Sequence, residues 1–260
     1  MVGRRFCRHF CGMWPLESMN SVFSLTFVEK EVSLVAAQTP PVFGRRRAHT
    51  SAERLADGCV HVLGLICGLV GGIFLIVLAL GQGNSHKVTA ISVYAIALLA
   101  MLAASAAFNM FYGTRFRDLL QRCDHSAIFI MIAGTYTPFT TQFFGTTQAL
   151  AWTAAIWMLC LSSIALKIVR PDWFERCSVV LYLLSGWIGV LMLWPLLATL
   201  PMFDVLALMA GGLLYTCGVT FHVWENLPFQ NVIWHVFVLA AASCHYCAVL
   251  DGVVLRDGPA

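Results

Sequence analysis

The side chains able to do chemistry in this chain gather at the ends of long apolar stretches. Ser105 and Asn109 are four residues apart, as are Asn231 and His235. On a helix each pair would share one face. Asp124 and His125 stand together at another boundary, His61 opens an apolar stretch, and His222 and Glu225 close one. A carboxylate and an imidazole can exchange protons as general acid and base, and both are ligand types for a metal ion such as zinc. With Ser105, Asn109 and Asn231 they can equally complete a hydrogen-bonded network that needs no ion. Asp124 suits helix capping as well as catalysis, so a functional polar cavity and ordinary helix-end bonding both fit these residues.

The elements that must position these groups are apolar enough to cross a bilayer. A span needs roughly 20 mostly apolar residues, and backbone in lipid must satisfy its own hydrogen bonds, which selects helices. Seven stretches qualify, over 59–80, 88–111, 125–144, 148–167, 177–198, 203–222 and 232–252. The chain is 59 % hydrophobic and 11 % charged, far from the roughly 25 % charged residues of a soluble domain. The fold class expected is an all-α membrane protein, a seven-transmembrane helix bundle with short loops and antiparallel neighbours.

Charge orients the bundle. Arg45, Arg46, Arg47 and Arg54 precede the first span, Arg115, Arg117 and Arg122 lie between the second and third, and Lys167, Arg170 and Arg176 lie between the fourth and fifth. Only Lys87 and Arg256 fall on the other side. Cationic loops stay inside, which predicts a cytoplasmic N-terminus and an outside C-terminus. Odd spans then start, and even spans end, on the cytoplasmic face, where His61, Ser105, Asn109, Asp124, His222, Asn231 and His235 converge. The net charge of +3 forms no nucleic-acid stripe, so membrane lipids are the expected partners and nucleic acid is not.

Residues 1–48 read as a basic cytoplasmic tail or linker without the apolar core of a cleaved signal, 49–254 as the transmembrane domain and 255–260 as a short outer tail. The Cys244-His245-Tyr246-Cys247 run has redox spacing but lies within a span, without the context that motif needs. Small residues crowd the first two spans at Gly64, Gly68, Gly71, Gly72 and Ala103–Ala107, as close helix approach requires.

Asp124-His125-Ser126-Ala127-Ile128-Phe129, continuing to Ala133-Gly134-Thr135-Tyr136-Thr137-Pro138-Phe139, strongly resembles the third span of the hemolysin III family, bacterial relatives of the adiponectin and progestin receptors. Glu53 with His61-Val62-Leu63-Gly64 resembles its first span, and Trp234-His235-Val236-Phe237-Val238 with Cys244-His245 its last. The resemblance covers about residues 50–254 and implies seven helices with a cytoplasmic N-terminus; the short loops suit a bacterial inner membrane.

The resemblance also implies a zinc site near the cytoplasmic face, with one His on the second helix, two on the seventh, and a Ser and an Asp completing it. Here the Ser and Asp positions hold Ser105 and Asp124, and His235 keeps the last ligand position. The other two imidazole positions hold Asn109 and Asn231. A neutral amide is a poor donor to zinc, so the implied metal site is altered. His61 restores a second imidazole only if the first span leans towards the second, third and seventh. His125 points about 100° away from Asp124 around the helix, and His245 lies some 15 Å from His235 along it.

The reading that follows is a hemolysin III-like membrane protein whose polar cavity binds a lipid or small lipid-like ligand. Asp124 and Ser105 are its candidate catalytic groups, Asn109, Asn231 and His61 its cavity residues, and His235 its metal position. The alternatives are a zinc-dependent, ceramidase-like lipid amide hydrolase and a cytolytic, membrane-perturbing or pore-forming hemolysin. Against a pore, no span carries the charged stripe that lines ion pathways.

Overall fold

The structure is a computed structural model that describes residues 49–193 and 200–256. Seven α-helices occupy the described residues: α1 Ser51–Gly81, α2 Ser85–Met110, α3 Arg117–Phe143, α4 Thr146–Val169, α5 Pro171–Leu193, α6 Met202–Val223 and α7 Gln230–Val249, the last continuing as a π-helical turn, Leu250–Leu255. Each coincides with one expected apolar stretch. The expected tail over 1–48, the end of the fifth stretch beyond residue 193 and the last four residues lie outside the described residues.

Helix α1 starts two turns before its apolar run because of a capping box. The Thr50 side chain accepts from the Glu53 N–H at 3.2 Å, and the Glu53 carboxylate accepts from the Thr50 N–H at 2.7 Å. These reciprocal bonds satisfy donors that a helix start leaves free. Asn84 caps α2 by accepting from the His86 and Lys87 N–H groups. Pro171 opens α5 at a position where a missing N–H costs nothing. In α3, Pro138 removes one rung of the ladder, yet the helix continues. The hydroxyls of Thr135, Thr137 and Thr141 each donate at 2.8 Å to the carbonyl four residues back, which keeps them satisfied away from water.

The buried residues of α1 are Glu53, Asp57, His61, Gly64, Gly68, Gly72, Leu75 and Ala79. Spaced by three or four, they form one stripe, polar at its start and apolar after. This stripe packs on α2 and α7. At two glycines of this stripe an added Cβ would force a neighbouring leucine side chain to shift. A Cβ on Gly68 would stand 2.5 Å from a Leu102 methyl of α2, and one on Gly64 would stand 2.8 Å from a Leu239 methyl of α7. The opposite side of α1 exposes Val62, Ile66, Leu69, Val70, Ile73 and Val77, an apolar surface of the kind lipid contact requires.

Five helices are long and apolar enough to cross a membrane: α1, α2, α4, α6 and α7 with its π turn. Helix α3 has the length but carries Asp118, Arg122, Asp124 and a run of threonines, and α5 holds a shorter apolar stretch, Arg176–Ile188. Where α1 meets α2, a second polar tie joins the C-terminal turn. Lys87 donates to Gln82 Oε1 at 2.6 Å and to the Arg256 carbonyl at 3.3 Å, and Gln82 donates to the Val254 carbonyl.

Candidate metal and acid–base site

Asp57 and His61 lie one turn apart on the buried stripe of α1, and His235 lies in the second turn of α7. Their exposures are 7 %, 6 % and 7 %, so water is largely kept from all three. His235 Nδ1 is 2.6 Å from Asp57 Oδ1. Since an ionised carboxylate only accepts, the imidazole donates there, which leaves the Nε2 lone pair available. His61 Nε2 lies 3.5 Å from Asp57 Oδ2, and the two imidazole rings tilt together at 4.3 Å between centroids. One donor atom from each residue falls within 4.8 Å of the other two.

This donor set suits a divalent ion such as zinc: two imidazoles and a carboxylate, close enough to converge. The His61 Nε2 is buried and, although 3.5 Å from Asp57 Oδ2, is in no hydrogen bond among the described residues. A buried polar group without a formed hydrogen bond is costly, and a ligated cation would satisfy it.

The other expected residues surround this trio unevenly. Asp124 comes close to the Ser105 side chain and near enough to His61 for their charges to interact. Asp124 is not an N-cap: α3 begins at Arg117, and Phe116 holds the cap position. The helix runs two turns past its apolar stretch, carrying Asp124 into the bundle. Asn109 turns its amide back to the Ser105 carbonyl at 2.9 Å, within its own helix. Asn231 is half-buried one turn before His235. His125 faces elsewhere, 6.2 Å from the Phe174 ring and 6.5 Å from Tyr182, while His245 sits near Tyr215 and the Leu208 carbonyl. His222 lies with its ring tilted against Trp234, 4.9 Å between centroids, and Glu225 is exposed. Cys244 and Cys247 are free thiols.

Asp57 is the residue that sequence reasoning missed. Its signal was present, since Asp57 and His61 have the same four-residue spacing as the pairs singled out. The apolar run starts at Cys59, so Asp57 reads as loop until the Thr50–Glu53 capping box is noticed.

A family profile described as "Haemolysin-III related" matches residues 51–246. The chain belongs to the haemolysin III family. It is 34 % identical over 200 residues to Hemolysin-3 of Bacillus cereus, covering 76 % of this chain and 90 % of the relative. It is 31 % identical over 201 residues to a Hemolysin-3 homolog of Bacillus subtilis (strain 168), covering 77 % and 94 %. A more distant similarity, 25 % over 217 residues, reaches the human Monocyte to macrophage differentiation factor, with 80 % and 87 % covered. No solved structure matches. As a haemolysin III family member with several apolar helices, the protein is an integral, multi-pass membrane protein. Asp57, His61 and His235 all fall inside the segment that the family profile matches.

Proposed function

We propose that this haemolysin III family protein is a zinc-dependent hydrolase of a lipid-like substrate, working at the cytoplasmic face of a bacterial inner membrane. The observation that carries the reading is the convergence of Asp57, His61 and His235, with the buried His61 Nε2 3.5 Å from Asp57 Oδ2 and in no hydrogen bond among the described residues. All seven helices cross the bilayer in this reading, with the N-terminus inside, as the cationic loops require.

Asp57, His61 and His235 would hold the ion. Zinc held by three protein ligands supplies Lewis-acid polarisation of a carbonyl or a water oxygen. The chain's own residues do the rest. Before an ion binds, the 2.6 Å contact from Asp57 Oδ1 to His235 Nδ1 keeps these two donor groups together. Asp124, beside Ser105 and His61, is the group that takes up and returns a proton at its carboxylate, a role typically contributing about 10²–10⁴-fold. Ser105 orients that carboxylate. The surrounding apolar helices exclude water and admit a substrate from the lipid phase.

Asn109 and Asn231 support a second reading. They replace imidazoles implied by the resemblance, and a metal-free pocket of amides, Asp124 and His235 would bind a lipid headgroup without hydrolysing it. The deciding experiment is elemental mass spectrometry on detergent-purified protein after mild chelation. About one zinc per chain, lost on replacing His61 or His235 by Ala, supports the metal site expected of three such ligands. Metal-free protein with intact helices leaves the binding pocket instead. A membrane-perturbing activity, as the name of the Bacillus cereus relative suggests for that protein, would show as leakage from liposomes.

A further inference from the structure

Glu53 lies one turn before Asp57 on the stripe of α1 and is 3 % exposed. One carboxylate oxygen, Oε2, closes the capping box with the Thr50 N–H; the other, Oε1, accepts the Phe229 N–H at 2.8 Å, 176 residues away. Phe229 is the N-cap residue immediately before α7; it is held at φ 58, ψ 24, and its own side chain makes no capping bond. Among the described residues it is the one non-glycine with positive φ. Such a conformation persists in a bulky residue only where the surroundings over-determine it, and a carboxylate beside a helix N-terminus is a favourable partner.

The two ties between α1 and α7 therefore run in series: Glu53 to Phe229, then Asp57 to His235. A slip of one residue along either helix moves a side chain by about 1.5 Å and turns it by about 100°. That is enough to break a 2.6 Å bond between His235 and Asp57. We propose that Glu53 is a positioning residue of the metal site, clamping the start of α7 to the start of α1 so that Asp57, His61 and His235 converge. The inference rests on the metal reading of those three residues.

Its test is the zinc affinity of the full-length protein in detergent, measured by competition with a chromophoric chelator, alongside thermal melts of the metal-free protein. Glu53→Ala is expected to weaken zinc binding about 10–100-fold, the range for groups that support metal ligands. Glu53→Gln keeps an acceptor for the Phe229 N–H and is expected to stay within a few-fold of wild type. Phe229→Gly in the Glu53→Ala background accepts φ 58 without a Cβ and is expected to recover part of the affinity, which a role confined to overall stability would not produce. Should Glu53→Ala not fold, Glu53→Asp, one methylene short, gives the same answer through a roughly tenfold loss. Wild-type affinity in the folded Glu53→Ala or Glu53→Asp protein overturns the clamp alone. A wild-type protein that binds no zinc overturns the clamp and the metal reading together.

Discussion

His235 on α7 and Asp57 on α1 stand 178 residues apart in the chain and share a 2.6 Å contact, Nδ1 to Oδ1, in a region almost closed to water. Replacing His235 by Ala leaves the Asp57 carboxylate buried beside His61 alone. Breaking such a pair typically costs about 3–5 kcal/mol, so the metal-free His235→Ala protein should melt well below wild type. Asp57→Ala/His235→Ala should recover part of that loss, because no lone charge remains. Thermal unfolding in detergent, read by helical circular dichroism, checks the order of the three melts.

His61 has the opposite profile. Its Nε2 stands 3.5 Å from Asp57 Oδ2 without forming a hydrogen bond, against 2.6 Å for His235, so His61→Ala is expected to change metal-free stability less than His235→Ala does. In the zinc reading, it should nevertheless abolish stoichiometric metal. A His61→Ala protein that still carries zinc as wild type does would remove His61 from the ligand set.

Asp124→Asn separates chemistry from binding. It keeps the shape beside Ser105 but cannot take up a proton, so zinc content should persist while turnover of a lipid-like substrate falls about 10²–10⁴-fold. Loss of zinc in this variant would place Asp124 among the ligands instead.

The glycine face of α1 is tested at Gly68. A methyl there meets Leu102 at 2.5 Å, and overpacking of this kind typically costs about 1–3 kcal/mol. Gly68→Ala should lower the melting temperature, and Leu102→Ala in the same chain should restore part of it. Independent, additive losses would mean that the two helices part freely.

Topology has its own check. His86 precedes most of α2, Arg115 follows it, and both are exposed. In a background without other reactive thiols, His86→Cys should label with a membrane-impermeant reagent from outside the cell, and Arg115→Cys only after the membrane is opened. The reverse pattern would invert the orientation drawn from the cationic loops.

Hydropathy and charge alone determined where the helices lie, because helical backbone is what lipid tolerates and apolar runs of this length leave little choice. They also placed His61, Ser105, Asn109, Asp124, Asn231 and His235 near common helix ends, since helix direction alternates from span to span. Only the tertiary structure decided which of these meet. Gly64 and Gly68 let α1 settle against α2 and α7, a matter of side-chain volume on facing surfaces that no single stretch reveals. The Thr50–Glu53 box lengthens α1 below its apolar run, and that extra length carries Asp57 to His235. A partner 178 residues distant is chosen by packing, and packing belongs to pairs of helices rather than to either one.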